Sequence, residues 1–151
     1  MSVACHGADI WYSFVNIQAG TTFDFTVTLS NSTVINKSIT FLKGLYSLSS
    51  IQSEIDAFCQ ADATIPDSLW LLSGSSSTGR VTIGFNADAA GINLSAASIL
   101  FGTSTAFATL FGFAASTLTF TAVANVTLVQ SAGITVANFS SLSHVDLRSD
   151  L

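Results

Sequence analysis

The clearest alternation of apolar and polar residues runs from Thr22 to Leu29. Phenylalanine, valine and leucine occupy every second position there, and threonine and aspartate fill the positions between them. This period of two predicts a strand with one buried face and one face in water. A turn-forming Ser-Asn-Ser-Thr run, residues 30–33, separates it from a second β segment over 34–42. The two segments therefore predict a hairpin.

A helical period replaces the alternation after this hairpin. It predicts one amphipathic helix over about residues 48–60, which ends well before Pro66, the only proline. Ser47 or Ser49 offers a hydroxyl for the N-cap, and Ser49 with Gln52 fits a capping box. The apolar face of this helix consists of Leu48, Ile51, Ile55, Phe58 and Cys59.

Two further β segments, 70–72 and 81–85, flank a loop rich in glycine and serine. They predict a second antiparallel hairpin. Residues 87–113 are less regular, and we expect a short helix there at about 104–110.

The C-terminal third returns to β character. Between 118 and 128 every even position is apolar or small, while threonine and asparagine occupy much of the other face. This pattern predicts one long strand. Two short strands are expected after it, at 134–136 and 145–147.

Together these segments predict a mainly β fold, namely an antiparallel β-sandwich or jelly-roll-like domain with one amphipathic helix and a second short helix. A length of 151 residues fits one domain over 1–151. Residues 1–20 are a candidate N-terminal arm. It stays open whether the chain is a fragment of a longer protein.

Charge is scarce, and this shortage bears on how the surface is used. Charged residues make up 9% of the chain, against roughly 25% in ordinary soluble domains. A surface of serine, threonine, asparagine, glycine and alanine lacks the charge that keeps like molecules apart. We therefore expect other protein chains to cover much of it. The alternative is a solitary secreted domain with a hydroxyl-rich coat.

The same composition argues against several partners. A net charge of −5 with four scattered cations argues against nucleic-acid binding. No apolar run is long enough for a membrane-spanning helix. The first residues lack the pattern of a signal peptide, so we expect the mature chain to begin at Met1. Cys5 and Cys59 are expected to be free thiols in a reducing cytoplasm.

Catalytic chemistry has few candidates in this sequence. His6 and His144 are the only histidines, and both lie near a terminus. Cys5 beside His6 lacks further ligands for a metal. The segment 143–146, Ser-His-Val-Asp, contains the triad residue types but no sign of an oxyanion hole. We expect no enzyme activity, no cofactor and no metal.

The order of features along the chain adds a resemblance. The segment 41–48, FLKGLYSL, leads into the predicted helix, and Leu-Phe-Gly-Phe at 110–113 precedes a threonine-rich strand. Over 39–151 this arrangement resembles β-rich structural proteins of double-stranded DNA viruses and phages, including minor capsid, vertex and appendage proteins. The resemblance implies a virion protein, made in the host cytoplasm, in the shell, a cement layer, a vertex or the tail.

The expected partners are copies of the chain, as a trimer or pentamer, and other virion proteins. Aromatic residues outside the main alternation are candidate interface anchors, and for each the alternative is a place in the core. A second hypothesis is a module that binds a host receptor or glycan through exposed aromatics, namely Tyr46 and Trp70. The candidate anchors are Trp11, Tyr12, Phe14, Phe101 and Phe107.

Overall fold

The computed structural model describes residues 15–87, 94–123 and 128–139. These residues form two antiparallel sheets and two helices, which confirms the predicted mainly β, sandwich-like fold. The strands and helices, in chain order, are β1 (Thr21–Leu29), β2 (Val34–Phe41), α1 (Leu48–Gln60), β3 (Trp70–Gly74), β4 (Val81–Asn86), β5 (Leu94–Leu100), α2 (Thr105–Phe111), β6 (Thr117–Thr121) and β7 (Leu128–Ala132).

The larger sheet has the strand order β2-β1-β5-β6. β1 and β2 form the predicted hairpin, in continuous register from Thr21 opposite Phe41 to Thr28 opposite Val34. The hairpin closes where the Leu29 N–H donates to the Thr33 carbonyl oxygen at 2.9 Å. Phe23, Phe25 and Val27 of β1 are fully buried and its threonines lie on the outer face, as the alternation predicts, whereas Leu29 at its end is half-buried.

The sequence pattern missed β5, which is a central strand. It pairs with β1 on one side and β6 on the other. Its register against β1 shifts between Thr28 and Leu29, and a bulge of this kind breaks the strict alternation on which the prediction relies. Ala96 and Ala97 weaken the apolar signal further.

The smaller sheet has the order β3-β4-β7, and its β3–β4 pair confirms the second predicted hairpin. The single strand predicted over 118–128 is wrong. β6 ends at Thr121 in the larger sheet and β7 begins at Leu128 in the smaller one, so the chain changes sheets between them. Local alternation cannot show such a change.

The segment after β7 also differs from the prediction. Residues 134–136 form no strand. They follow an irregular path in which the Thr135 N–H donates to the Gly112 carbonyl oxygen and the Ala137 N–H to the Gly79 carbonyl oxygen. The strand predicted at 145–147 lies outside the described residues.

Helix α1 has the predicted bounds and buries Ile51, Ile55 and Cys59 completely. Its N-cap is Ser47, whose hydroxyl accepts from the Ser50 N–H at 3.1 Å. The Ser50 hydroxyl in turn accepts from the Ser47 N–H at 2.8 Å. The capping box therefore uses Ser47 and Ser50, and the predicted pair of Ser49 and Gln52 is wrong.

Helix α2 confirms the predicted second helix, one residue further along. It ends at Gly112, which has a left-handed backbone with φ 76°. The Phe113 N–H donates back to the Ala108 carbonyl oxygen at 2.8 Å, which is the hydrogen bond of a Schellman motif.

Candidate interaction surfaces

Two of the predicted interface anchors belong to the core. Phe101 and Phe107 are both 0% exposed. The Phe101 ring stacks on Phe113 with centroids 5.2 Å apart, and the Phe107 ring meets the edge of Phe23 at 5.4 Å. A side chain without exposed surface cannot anchor a contact to another chain, so this prediction is wrong for both residues. Trp11, Tyr12 and Phe14 lie outside the described residues.

Trp70, a predicted receptor contact, is also buried. It is 0% exposed and packs between Phe25 and Phe120, with ring centroids 5.8 Å and 5.6 Å away. Its indole N–H has no hydrogen-bond partner among the residues that the structure describes. A glycan would need the ring face that these neighbours cover, so the predicted receptor role of Trp70 is wrong.

Tyr46, the other predicted receptor contact, is half-buried. Its ring packs against Phe41 at 5.6 Å. The Asn16 side chain fixes its backbone, because Asn16 Oδ1 accepts from the Tyr46 N–H and Asn16 Nδ2 donates to the Tyr46 carbonyl oxygen, each at 2.7 Å. Tyr46 therefore stands in a fixed place in the loop before α1 with part of its ring accessible.

Large apolar side chains remain on the surface of the described residues. Two of them mark the ends of β2, namely Val34 at its start, 57% exposed, and Leu42 just after its end, 78% exposed. Single exposed apolar residues are normal, but here they stand on a surface with little charge. The full set is Val34, Leu42, Leu45, Leu71, Val123, Ile134 and Val136.

A cluster of hydroxyl groups surrounds Asp24 on the outer face of the larger sheet. The hydroxyls of Ser38, Thr103 and Thr22 donate to its carboxylate at 2.6, 2.7 and 3.2 Å. Burial alone would raise the pKa of Asp24, but these hydrogen bonds outweigh it and lower the pKa. The Ser104 hydroxyl, almost fully buried, accepts from the Asp24 N–H at 2.8 Å.

This cluster joins β1, β2 and the start of α2. It also borders a concavity of about 320 Å³ that Asn36 and Leu100 help to line. The Ser38 and Thr22 hydroxyls donate to Asp24, and the Thr103 hydroxyl lies within reach of both Asp24 and the Leu100 carbonyl oxygen at 3.0 Å, so the cluster presents acceptor oxygens and a negative charge. The hydroxyl donors hold the Asp24 carboxylate in place, and its lowered pKa makes it a weak base, so we assign the cluster a structural role. Alternating threonines along β1 hinted at a polar face, but nothing in the sequence placed Thr103 beside it.

The titratable groups of the described residues offer little reactive chemistry. Burial, reinforced by the negative charges of Asp56, Asp62 and Asp67, raises the pKa of the Cys59 thiol to about 12. Cys59 is therefore a protonated core residue, free as predicted. No group of three histidine, cysteine or acidic side chains that could hold a metal occurs in the described part of the chain. Cys5, His6 and His144 lie outside it.

The edge strand β3 of the smaller sheet is closed by a side chain of α1. Gln52 Oε1 accepts from the Leu72 N–H at 2.6 Å, and Gln52 Nε2 donates to the Trp70 carbonyl oxygen at 2.8 Å. The carboxamide thus replaces one residue of a neighbouring strand. The sequence pattern assigned Gln52 to a capping box with Ser49 and could not reveal this role, because the partners of Gln52 depend on how α1 crosses the sheet edge.

The edge strand β2 of the larger sheet carries an ion pair instead of a bridging carboxamide. Lys37 alternates with the inward residues Ile35 and Ile39 and pairs with Asp62, just beyond the end of α1. This bond lowers the pKa of Asp62 to about 2. Gln52 of α1 therefore bonds to the edge of the smaller sheet, and Asp62, in the segment after α1, bonds to the edge of the larger one. At the opposite side, β6 lies next to β7.

Comparisons with known proteins add no identification. No family model matches the chain, and neither curated proteins nor solved structures give a significant match. Within the described ranges, no helix has the length and apolar character that crossing a membrane requires.

Proposed function

We propose that this chain is a non-enzymatic structural protein of a virion, which assembles with its own copies and with neighbouring capsid or tail proteins. The observation that carries the proposal is the combination of 9% charged residues with apolar side chains up to 78% exposed. Charge normally opposes association of like molecules, and apolar surface favours it. The virion role is supported by the resemblance of 39–151 to viral structural proteins.

Binding of a receptor or glycan is the weaker hypothesis. Its main support was a pair of exposed aromatic residues, and Trp70 has no exposed surface. Tyr46 alone, with its ring packed on Phe41, does not form the open aromatic platform that sugar rings use. We therefore propose no second function.

The self-association can be tested by light scattering of the full chain over a dilution series in the micromolar range. We expect a mass that is a multiple of 15.7 kDa. Replacing the exposed Leu42 and Leu45 by serine should lower it, and the control Thr119→Ser, a change at an exposed polar position, should not. A single-chain mass at every concentration would contradict the proposal.

The virion role needs a separate measurement. Antibody labelling of purified particles, followed by electron microscopy, should place the chain at the shell, a vertex or the tail. Particles that carry no label, from cells that express the chain, would refute this part of the proposal while leaving self-association intact.

A further inference from the structure

The free edge of β2 has a defined set of hydrogen-bonding groups. The bond between Leu29 and Thr33 fixes the phase of the β1–β2 ladder, because bonded pairs alternate along an antiparallel ladder. Odd-numbered residues of β2 therefore bond to β1, and the even-numbered ones direct their N–H and C=O groups away from the sheet. Among the described residues, none pairs with the outward backbone groups of Val34, Asn36, Ser38 or Thr40.

We infer that β2 pairs antiparallel with β2 of a second copy, about a twofold axis at Ser38, so that the two larger sheets become one continuous eight-stranded sheet. This inference rests on the self-association proposed above and names its surface. The strand is eight residues long. In contrast to β3, where Gln52 satisfies two outward groups, β2 has no such closure among the described residues.

The free backbone groups of β2 restrict the register of this pairing. Even-numbered residues must face even-numbered ones, because they hold the free backbone groups. With Ser38 opposite Ser38 of the partner subunit, Asn36 faces Thr40 of the partner subunit, which gives roughly six backbone hydrogen bonds. Val34 then faces Leu42 of the partner subunit. Val34 is 57% exposed and Leu42 is 78% exposed in the single chain, so the contact covers two apolar side chains at each end of the paired strands.

Lys37 selects this register against its neighbour. Moving the twofold axis from Ser38 to Lys37 would place Lys37 directly opposite Lys37 of the partner subunit, where like charges repel. In the inferred register Lys37 faces Ile39 of the partner subunit instead, and its own charge stays paired with Asp62. An inward charge on an edge strand often blocks pairing altogether. Here the ion pair neutralises it, so Lys37 restricts the register rather than the contact.

Proline at the axis tests the interface, because the Ser38 N–H makes no bond to β1. Ser38→Pro removes that donor and places a ring at the centre of the contact, and edge strands accept proline. The dimer dissociation constant should rise at least about 100-fold. The matched control is Ser38→Ala, which loses the same hydroxyl bond to Asp24 but keeps the N–H, and should dimerise within about threefold of the native chain. Circular dichroism confirms that both variants fold.

A disulfide tests the register. In a Cys5→Ala background, Ser38→Cys should form a dimer linked by Ser38 positions, because bonded partners have Cα atoms about 5.5 Å apart. Asn36→Cys should remain unlinked, since two such residues would stand about 14 Å apart along the strands. Linking through Asn36→Cys alone would overturn the register. An associated native chain that Ser38→Pro leaves unchanged would overturn the interface but not the proposed function, and a native single-chain mass would overturn both.

Discussion

Gly112 provides the sharpest test of the packing described above. Two separate effects oppose any side chain there. The backbone has φ 76°, and a residue with a Cβ adopts this conformation at a cost of roughly 1–2 kcal/mol. A Cβ at Gly112 would also stand 2.4 Å from the Thr135 carbonyl oxygen and 2.9 Å from its hydroxyl. Backbone cannot yield as a flexible side chain can, and overpacking of this kind costs about 1–3 kcal/mol.

Gly112→Ala should therefore lower the free energy of unfolding by about 2–5 kcal/mol. Two other glycines separate the cost of the backbone conformation from the cost of the close contact. Gly20 has φ 79° but open space around its Cβ position, so Gly20→Ala should cost only about 1–2 kcal/mol. Gly102 has open space and no positive φ, so Gly102→Ala should range from neutral to about 1 kcal/mol more stable.

Urea titration followed by tryptophan fluorescence gives the three values, because unfolding exposes the buried Trp70. The expected order of destabilisation is Gly112→Ala, then Gly20→Ala, then Gly102→Ala. If Gly112→Ala costs no more than Gly20→Ala, the contact with Thr135 does not constrain the segment after β7. If Gly20→Ala equals Gly102→Ala, the backbone argument is wrong.

Three further predictions concern polar groups and use the same titration or a thiol assay. Gln52→Leu leaves two backbone groups of the β3 edge unpaired and should cost about 1–3 kcal/mol; no loss would show that water replaces the carboxamide. Asp24 and Asp62 have lowered pKa values in the fold, so their stabilisation is present above the unfolded pKa of about 3.9 and is lost as pH falls, for Asp62 toward about 2. The variant Asp62→Asn should flatten the loss of stability below pH 4, and an unchanged slope would contradict the assignment. Cys59, with its pKa raised to about 12, should resist thiol reagents at pH 8 in a Cys5→Ala background until the chain unfolds; rapid reaction of the native protein would contradict its burial.

The elements predicted well from sequence are those whose pattern is local. The strand β1 and the helix α1 each keep one period over their whole length, because each buries one continuous face. The strand β5 was missed because its inward positions include Ala97 and its ladder contains a bulge. The strand predicted over 118–128 was too long, because the alternation there does not show that the chain leaves one sheet for another.

The candidate sites depended more strongly on tertiary structure. Trp70 was predicted to be an exposed aromatic that contacts a receptor, yet the smaller sheet turns it inward toward Phe25. The sequence could not distinguish an aromatic interface anchor from a core residue, because both are large and apolar. Gln52 bonds to Trp70, 18 positions away in sequence, and Asp24 to Ser38, 14 positions away, and spacing within one element cannot reveal such partners.

The inferred β2 contact limits what the whole assembly can be. A twofold pair is closed, since each copy uses its single β2 edge once. It would cover Val34 and Leu42, whereas Leu45, Ile134 and Val136 remain on the surface. A trimer or pentamer would therefore need a second surface, and β2 would join one such ring to the next. Under this scheme Ser38→Pro should convert a larger assembly into smaller rings rather than into single chains. Native mass spectrometry of the variant distinguishes smaller rings from single chains. Single chains alone would mean that the β2 edge is the only surface through which copies associate.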